Sequence, residues 1–147
     1  MTYTEITKDL FTMPDDYYLA HCISADFKMG AGIAVQFNKH FDMKNILTTK
    51  HPKYYDYFVN HRIGGDCILE GRVLNIITKE LYYNKPTIIT MMIALVKLKQ
   101  VCLENNIKKI AMPTIGCGLD GLKWEIVSKT IQDTLRNTDI EIVVCKL

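Results

Sequence analysis

Residues 113–121 read Pro-Thr-Ile-Gly-Cys-Gly-Leu-Asp-Gly, a glycine-rich loop that directly follows the apolar strand pattern of residues 108–112. A second glycine-rich loop, Lys-Met-Gly-Ala-Gly-Ile-Ala at residues 28–34, follows the apolar pattern of residues 17–23, and helical patterns begin behind both loops. Glycine has no Cβ, so these loops leave backbone N–H groups open to a ligand, and a helix N-terminus adds partial positive charge. Two such loops in one small chain predict a cradle for a multiply charged anion such as a diphosphate.

The bulk properties fit a single domain over residues 1–147, because 147 residues of which 48% are hydrophobic and 23% charged can bury a full core. The formal net charge of +2 and the lack of a Lys/Arg block give no argument for nucleic-acid binding. No apolar run approaches the roughly 20 residues of a membrane span, and no signal-type segment opens the chain. We expect a cytoplasmic monomer without membrane association, or a nuclear one in a eukaryote.

The cysteines are five in number, lie in apolar contexts and include no C-x-x-C pair. An odd count without that spacing argues against a disulfide framework and against a zinc site. Buried thiols in a reducing compartment are the interpretation that fits best. We therefore expect neither a metal nor a cofactor.

Strand and helix patterns alternate along the chain, which predicts an α/β fold with a largely parallel sheet covered on both sides. The predicted strands cover residues 2–8, 17–23, 67–69, 72–78, 108–112 and 139–146, and the predicted helices cover residues 31–40, 86–104 and 122–136. The stretch 42–66 carries no clear pattern, and its aromatic residues Tyr54, Tyr55, Tyr57 and Phe58 fit either a short helix or an irregular cover. Ligands of such sheets bind outside the carboxyl ends of the strands, where both glycine loops and Lys79 are placed.

The longest helical pattern is expected to begin at Pro86, because the first position of a helix needs no N–H donor. Its apolar residues are spread widely around the helix, which predicts that this set packs against the sheet: Ile89, Ile93, Val96, Leu98 and Val101.

Lys79 and Asp120 are the first candidates for chemistry. An amine is nucleophilic only when neutral, and burial beside Ile76 and Ile77 would disfavour the charged form of Lys79. From its position alone, Lys79 is better explained as a solvated lysine at the end of a strand than as a nucleophile. Asp120 follows two glycines and precedes a third, so its carboxylate could act as a general base or orient a sugar hydroxyl. Its alternative role is to cap the helix that follows.

Other candidates carry weaker signals. Asp9 follows the first strand and could accept a hydrogen bond from an exocyclic amine, or could simply hold a turn. Ser24 ends the second strand, where its hydroxyl could reach a ligand or satisfy a local backbone group. A hydrolase with Cys117 as nucleophile and His21 as base is a remote alternative, because the sequence contains no catalytic cysteine signature.

Seven segments, in order along nearly the whole chain, carry a resemblance to a known family. They are residues 8–11 (KDLF), 20–26 (AHCISAD), 29–34 (MGAGIA), 77–79 (ITK), 85–87 (KPT), 112–120 (MPTIGCGLD) and 122–125 (LKWE). Together they resemble a macrodomain and, more narrowly, the terminal ADP-ribose protein glycohydrolase branch. The resemblance implies a macrodomain fold, with a mixed central sheet of about six strands between helices and an ADP-ribose cleft along one edge.

The resemblance also implies roles for single residues. Asp9, Leu10 and Leu147 would border the adenosine end of ADP-ribose. Lys79 would attack the anomeric carbon of the distal ribose, and Asp120 would help to resolve the covalent adduct. The remaining residues would hold the diphosphate and the distal ribose: Ser24, Gly30, Ala31, Gly32, Ile33, Ala34, Thr114, Ile115, Gly116, Cys117, Gly118 and Leu119.

By the same resemblance the protein would be a hydrolase that removes mono-ADP-ribose from glutamate or aspartate esters on proteins, with deacetylation of O-acetyl-ADP-ribose as a side activity. Its partners would be ADP-ribose and ADP-ribosylated protein. The alternatives are removal of ADP-ribose from a nucleobase in DNA, a reader that binds ADP-ribose without turnover, and a phosphatase acting on ADP-ribose 1″-phosphate. A reader needs neither Lys79 nor Asp120, which favours the enzyme.

Three positions depart from the family pattern. Residues 51–62 do not align, so nothing is inferred for them from the resemblance. Thr114 replaces a bulkier basic residue, which would weaken a phosphate contact. Tyr82 and Tyr83 stand between Lys79 and Lys85, where more basic residues are expected, and this change bears on which macromolecule is attached to the ADP-ribose.

Overall fold

The computed structural model describes residues 1–147 and contains one six-stranded sheet. Its strands are β1 (Thr2–Thr7), β2 (Tyr18–Ser24), β3 (Asp66–Glu70), β4 (Val73–Lys79), β5 (Lys109–Met112) and β6 (Glu141–Lys146). The strand order is β1-β6-β5-β2-β4-β3, and only β3 runs antiparallel to its neighbour. The mixed six-stranded sheet is therefore confirmed, including the hairpin of β3 and β4.

Helices cover both faces of this sheet. They are α1 (Ile33–Phe41), α2 (Met43–Lys50), α3 (Tyr54–Asn60), α4 (Ile88–Glu104) and α5 (Trp124–Leu135), preceded by a 3-10 turn at Leu10–Thr12. Helices α1 to α3 pack on one face of the sheet, and α4 and α5 pack on the other. Two of them, α2 and α3, fill the stretch 42–66 that the sequence pattern left open. None of the helices has the length and apolar character that crossing a membrane requires.

The α1 face of the sheet buries a polar pair. His21 Nε2 lies 2.7 Å from Asn75 Oδ1, and the imidazole stacks on Phe37 with 3.8 Å between ring centroids. All three side chains are fully buried. The α4 face has no such pair and is built from aliphatic, methionine and cysteine side chains.

Two details of helix α4 correct the sequence-based expectation. The helix begins at Ile88 behind a Thr87 cap, so Pro86 precedes the cap rather than opening the helix. Thr87 and Thr90 exchange side-chain and backbone hydrogen bonds of 3.1 and 3.0 Å, and this capping box fixes the start. Local cap chemistry thus outweighs the preference of proline for the first helical position.

The face of α4 that packs on the sheet also differs from the expected one. Of the expected set only Leu98 is fully buried, whereas Ile89 and Val96 are 64% and 57% exposed. The buried side chains of α4 are instead Met91, Ala94, Leu95, Leu98 and Cys102. The helix is apolar nearly all round, so its periodicity carried no information on which face meets the sheet.

The sheet topology sets the position of the site. Because β1, β2, β4, β5 and β6 are parallel, their carboxyl ends meet along one edge. Both glycine loops, the loop after Lys79 and the chain end at Leu147 follow those strands directly. Ligand sites of parallel sheets lie at this edge.

Candidate functional site

Two adjoining cavities lie along the carboxyl edge of the sheet. The first, called here the β1–β6 cavity, has a volume of about 560 Å³ and is lined by residues 8–11, 33, 36, 40, 113–114 and 145–147. The second, called here the Lys79 cavity, has a volume of about 680 Å³ and is lined by residues 22–24, 28–34, 79, 82–83, 85, 113–116 and 118–120. Ile33, Pro113 and Thr114 line both cavities, so the two form one continuous cleft.

Lys79 and Asp120 meet inside the Lys79 cavity. Lys79 Nζ lies 2.7 Å from Asp120 Oδ1, and the two side chains are only 13% and 16% exposed. The two residues are 41 positions apart in the chain. Asp120 therefore does not cap α5, whose N-cap is Lys123. An amine and a carboxylate in contact, largely screened from water, form a pair that can exchange a proton.

Local irregularities fix both members of this pair. The pairing of β2 with β4 shifts register between Ile23 and Ser24, so that Ser24 is opposite Lys79. The amide of Ala25 then donates to the carbonyl of Lys79 over 2.9 Å. The loop that carries Asp120 packs against α4 at Gly116, where an added Cβ would lie 2.7 Å from Met91 Cε. Since φ at Gly116 is also +74°, any other residue would be strained there.

Both glycine loops present backbone amides without internal partners. The N–H groups of residues 30–32 make no hydrogen bond within the chain, and neither do those of residues 114, 116 and 118–120. Helix α1 begins directly behind the first loop, at Ile33 with Gly32 as N-cap. Unpaired amides and a helix N-terminus around one cleft are suited to an anionic ligand.

Asp26 holds together three residues that line the Lys79 cavity. Its carboxylate accepts hydrogen bonds from Ser24 Oγ, from the Lys28 amide at 3.1 Å and from the Tyr82 amide at 3.0 Å. Ser24 is buried and its hydroxyl donates to the Asp26 side chain rather than to a local backbone group, so the alternative interpretation was wrong in its partner. The sequence reading did not assign a role to Asp26, although its place two residues after β2 was a signal.

The β1–β6 cavity gathers the residues expected at the adenosine end. Asp9 caps the 3-10 turn, with Oδ1 accepting from the Phe11 amide at 3.0 Å, and Leu10 beside it is buried. The Phe11 ring stacks on His40 with centroids 4.3 Å apart. Leu147 lines the same cavity and is fully exposed. His40 was not predicted to line the cleft from the sequence, although Ile33, Gln36 and His40 recur at the spacing of one helix face.

The Cys117–His21 alternative is wrong, because the structure separates the two side chains. His21 is buried among the side chains of the α1 face, whereas Cys117 packs against the cluster on the α4 face. Burial raises the pKa of the Cys117 thiol, and burial lowers the pKa of His21 to about 4. Cys117 is also the one residue of the expected binding set that lines neither cavity.

All the other residues named as candidates from the sequence line the cleft. Residues that the sequence reading did not assign complete the Lys79 cavity: Lys28, Tyr82, Tyr83 and Lys85. The amine of Lys85 donates to the carbonyl of Leu119 and so joins the loop after β4 to the second glycine loop. No group of three or more histidine, cysteine, aspartate or glutamate side chains is placed to hold a metal ion.

Comparison with known proteins places this cleft in a family. A model described as "Macro domain" matches residues 20–131. The ADP-ribose glycohydrolase OARD1 of Homo sapiens is 41% identical over 145 residues, which cover 98% of this chain and 91% of that protein.

Solved structures agree with this assignment at the level of the fold. The macrodomain of Mycobacterium tuberculosis DarG has a TM-score of 0.79 at 23% identity, covering 98% of this chain and 97% of that one. Thermosipho africanus DarTG, solved in complex with ADP-ribose, has a TM-score of 0.77 at 18% identity over 99% of this chain and 42% of that one. The chain belongs to the macrodomain family, in its terminal ADP-ribose protein glycohydrolase branch.

Proposed function

We propose that the protein is an ADP-ribosyl hydrolase that removes mono-ADP-ribose from glutamate and aspartate esters on proteins, and that it also deacetylates O-acetyl-ADP-ribose. The observation that carries the proposal is the contact of Lys79 Nζ with Asp120 Oδ1 at 2.7 Å inside a cleft lined by unpaired amides. The similarity to an ADP-ribose glycohydrolase over nearly the whole chain supports the same activity.

The cleft suggests how ADP-ribose would be seated. The diphosphate fits against the open amides of residues 30–32 and of the loop 114–120, where backbone donors need no positive side chain. The adenosine would extend into the β1–β6 cavity, beside Asp9 and Leu10. The distal ribose would then enter the Lys79 cavity with its anomeric carbon facing the amine. A single extended ligand thus accounts for two cavities that share Ile33 and Thr114.

The first chemical step needs Lys79 as a neutral amine. At rest Lys79 Nζ donates a hydrogen bond to Asp120 Oδ1, and this short contact lets the proton pass to the carboxylate once the bound ligand excludes water. The lone pair of Lys79 Nζ then forms a bond to the anomeric carbon as the carbon–oxygen bond of the ester breaks. The electron pair leaves with the substrate carboxylate, which takes up the proton held by Asp120.

The second step releases the sugar. Asp120, again ionised, accepts a proton from a water molecule whose oxygen attacks the anomeric carbon. The carbon–nitrogen bond breaks and Lys79 leaves as a neutral amine, which recovers its proton from Asp120. The balance is one ester and one water converted to ADP-ribose and a free carboxylic acid. A carboxylate is a good leaving group, so an amine and a base suffice, and the same two residues would serve an acetyl ester.

The test uses a protein carrying glutamate-linked mono-ADP-ribose and follows release of ADP-ribose. Lys79→Ala and Asp120→Ala are expected to lower the rate by about 10³-fold or more, since each removes a group that bonds to or deprotonates a reactant. Both variants should retain ADP-ribose binding within a few-fold in a calorimetric titration, because the main chain supplies the phosphate contacts. Mass spectrometry of a quenched reaction should detect ADP-ribose attached to Lys79.

The matched control is a second lysine–aspartate pair outside the cleft. Lys108 Nζ lies 2.8 Å from Asp139 Oδ1, with the side chains 47% and 72% exposed. Lys108→Ala and Asp139→Ala should leave both turnover and binding unchanged. Turnover by Lys79→Ala at the parent rate would refute the covalent role. Tight ADP-ribose binding by the parent without release from any ester would instead identify a reader.

A further inference from the structure

The outer face of helix α4, which is turned away from the sheet, carries large apolar side chains that water reaches. Ile89, Val96 and Leu103 stand seven residues apart and are 64%, 57% and 56% exposed. Met92 and Ile93 lie between the first two and are 49% and 37% exposed. Single exposed apolar residues are normal on a protein surface, but a stripe of them along one helix marks a surface that another molecule covers.

The size of this stripe matches one half of a dimer interface. Its five side chains together expose on the order of 500 Å² of largely apolar surface, within the range of the largest patches on typical monomers. A standard interface buries about 800 Å² on each partner, and about 65% of a homodimer interface is apolar. One copy of the chain must therefore supply about 500 Å² of apolar surface, which is what the stripe offers.

The spacing of the stripe is symmetric about Val96. A repeat of seven residues keeps one side of a helix against a second helix, as in the seam of a coiled coil. When two α4 helices lie antiparallel across a two-fold axis at Val96, Ile89 of each copy meets Leu103 of the other, and the two Val96 side chains meet at the axis. Met92 then lies against the aliphatic stem of Lys99, whose amine reaches water at the edge of the seam.

The charge at the ends of α4 favours the same arrangement. Glu104 is the last residue of α4, whose last turn contains no basic residue and whose first turn contains no acidic one. Its carboxylate accepts a hydrogen bond from the Gln100 side chain at 3.2 Å and forms no ion pair. Within one copy Glu104 therefore adds negative charge to the negative end of the helix dipole. In the antiparallel pair Glu104 lies beside the first turn of the other α4, which is the positive end.

We propose that the outer face of α4 is a homodimer interface, in which two copies of the chain pair through antiparallel α4 helices across a two-fold axis at Val96. Because each copy uses the same patch, the assembly closes at two copies. No residue of α4 lines either cavity, so both clefts stay open in the dimer. The expectation of a monomer went together with the expectation that Ile89 and Val96 pack against the sheet, and both side chains are exposed instead.

Sedimentation velocity from 1 to 100 µM tests the interface on the unmodified chain. We expect mostly dimer at about 100 µM and dissociation towards about 1 µM, because interfaces of this size span affinities from micromolar upward. Val96→Glu places two carboxylates at the axis and should weaken the association by about 100-fold or more. Glu104→Lys should weaken it by about fivefold, although the lysine favours the dipole of its own helix.

The matched control for Val96→Glu is Ile126→Glu. Ile126 is 50% exposed on α5, and its replacement should leave the association unchanged. The unfolding midpoints of both variants at 1 µM, where the parent is also monomeric, should match that of the parent, which separates lost association from lost folding. A parent that stays monomeric at 100 µM, or an equal loss from both variants, would overturn the interface.

A cross-link tests the position of the axis. In Val96→Cys, oxidised glutathione should join the two copies by a disulfide, with two thiols oxidised as one glutathione disulfide is reduced to two thiols. The parent and Ile126→Cys should remain uncross-linked under the same conditions. A dimer that Val96→Cys does not cross-link would refute the two-fold axis at Val96, and growth beyond two copies would refute the closed pair. A monomer that binds phosphatidylserine vesicles through Val96, with Lys97 and Lys99 beside the lipid headgroups, would assign the face to a membrane surface instead.

Discussion

The two glycine loops line the same cleft but differ in how tightly they pack against the rest of the protein. The loop of residues 113–121 packs on α4, because Gly116 lies so close to the end of the Met91 side chain that a Cβ would displace it. The loop of residues 28–34 stands open, since a Cβ at Gly32 would meet nothing within 4 Å. The fastened loop carries Asp120, whose position must be fixed relative to Lys79, and the open loop offers only amides. Under the proposed function, the loop that must place a catalytic carboxylate is thus the tightly packed one, whereas both loops offer unpaired amides to the anion.

The largest effect should come from Gly116→Ala in the fastened loop. A Cβ there must adopt a left-handed φ of +74° and push aside the flexible end of Met91, so we expect the free energy of unfolding to fall by about 2 kcal/mol, most of it from the backbone conformation. Hydrolysis should fall too, because Asp120 is carried by the same loop. Urea denaturation measures the first effect. An unchanged unfolding midpoint would show that the loop is not held by this contact.

Acid should lower the free energy of unfolding through the layer in which α1, behind the loop of residues 28–34, packs on the sheet. Helix α1 packs Phe37 on His21, and burial lowers the pKa of His21 to about 4 from an ordinary value of 6.5. The unfolded chain therefore binds the proton more readily, and stability falls as the pH drops below 6.5 until it passes 4. Between pH 8 and pH 5 the loss should be about 2 kcal/mol.

Urea denaturation across this pH range, in the parent and in His21→Gln, tests the attribution. The variant removes the titrating ring but keeps an amide opposite Asn75. The change in its unfolding free energy between pH 5 and pH 8 should therefore be smaller than that of the parent by about 2 kcal/mol. Equal pH dependence in the two proteins would assign the effect to other groups.

Gly32→Ala probes the open loop and should cost less stability than Gly116→Ala. Gly32 has φ of +63° and ψ of −149°, a region used almost only by glycine, but the loop is exposed and can rearrange. We expect a loss of about 1 kcal/mol in unfolding free energy. ADP-ribose affinity, measured by calorimetry, should fall by about tenfold as the amides of residues 30–32 turn away. Unchanged affinity would remove this loop from the binding site.

The smallest effect on stability is expected for Gly118→Ala, which lies in the fastened loop but faces open space. The unfolding free energy should stay within about 0.5 kcal/mol of the parent, as for other unstrained exposed positions. ADP-ribose affinity should fall by less than tenfold, because the methyl group narrows the cavity without displacing an amide. A loss of stability as large as that of Gly116→Ala would remove the distinction between packed and open glycines.

The fold was predictable where the signal was local. Glycine loops behind short apolar strands, the β3–β4 hairpin and the stripe of Val127, Ile131 and Leu135 on α5 each depend on neighbouring residues. Helices α2 and α3 were not predictable, because they are only 8 and 7 residues long and neither carries a clear hydrophobic period. The buried face of α4 was predicted wrongly, because both sides of that helix are apolar.

The residues of the candidate site also divide into those with a local sequence signal and those without one. Lys79, Asp120 and the loop residues were identified from motifs, and most of them line the cleft. The roles of Asp26 and His40 were missed, because each depends on a partner from a distant segment, whereas Tyr82 and Tyr83 were already noted as a departure from the family pattern. Asp26 becomes significant only when the Tyr82 amide, 56 positions away, lies against it.

The sequence alone determined the glycine loops, the order of the strands and of helices α1, α4 and α5, and the residue types available for chemistry, because φ preferences and hydrophobic periods act over a few residues. The tertiary structure decided which of these residues meet. Strand β2 lies between β5 and β4, so the loops that follow these three strands adjoin at one edge. That arrangement places Lys79 and Asp120 in contact across 41 positions and sets the tyrosine pair at the mouth of their cavity.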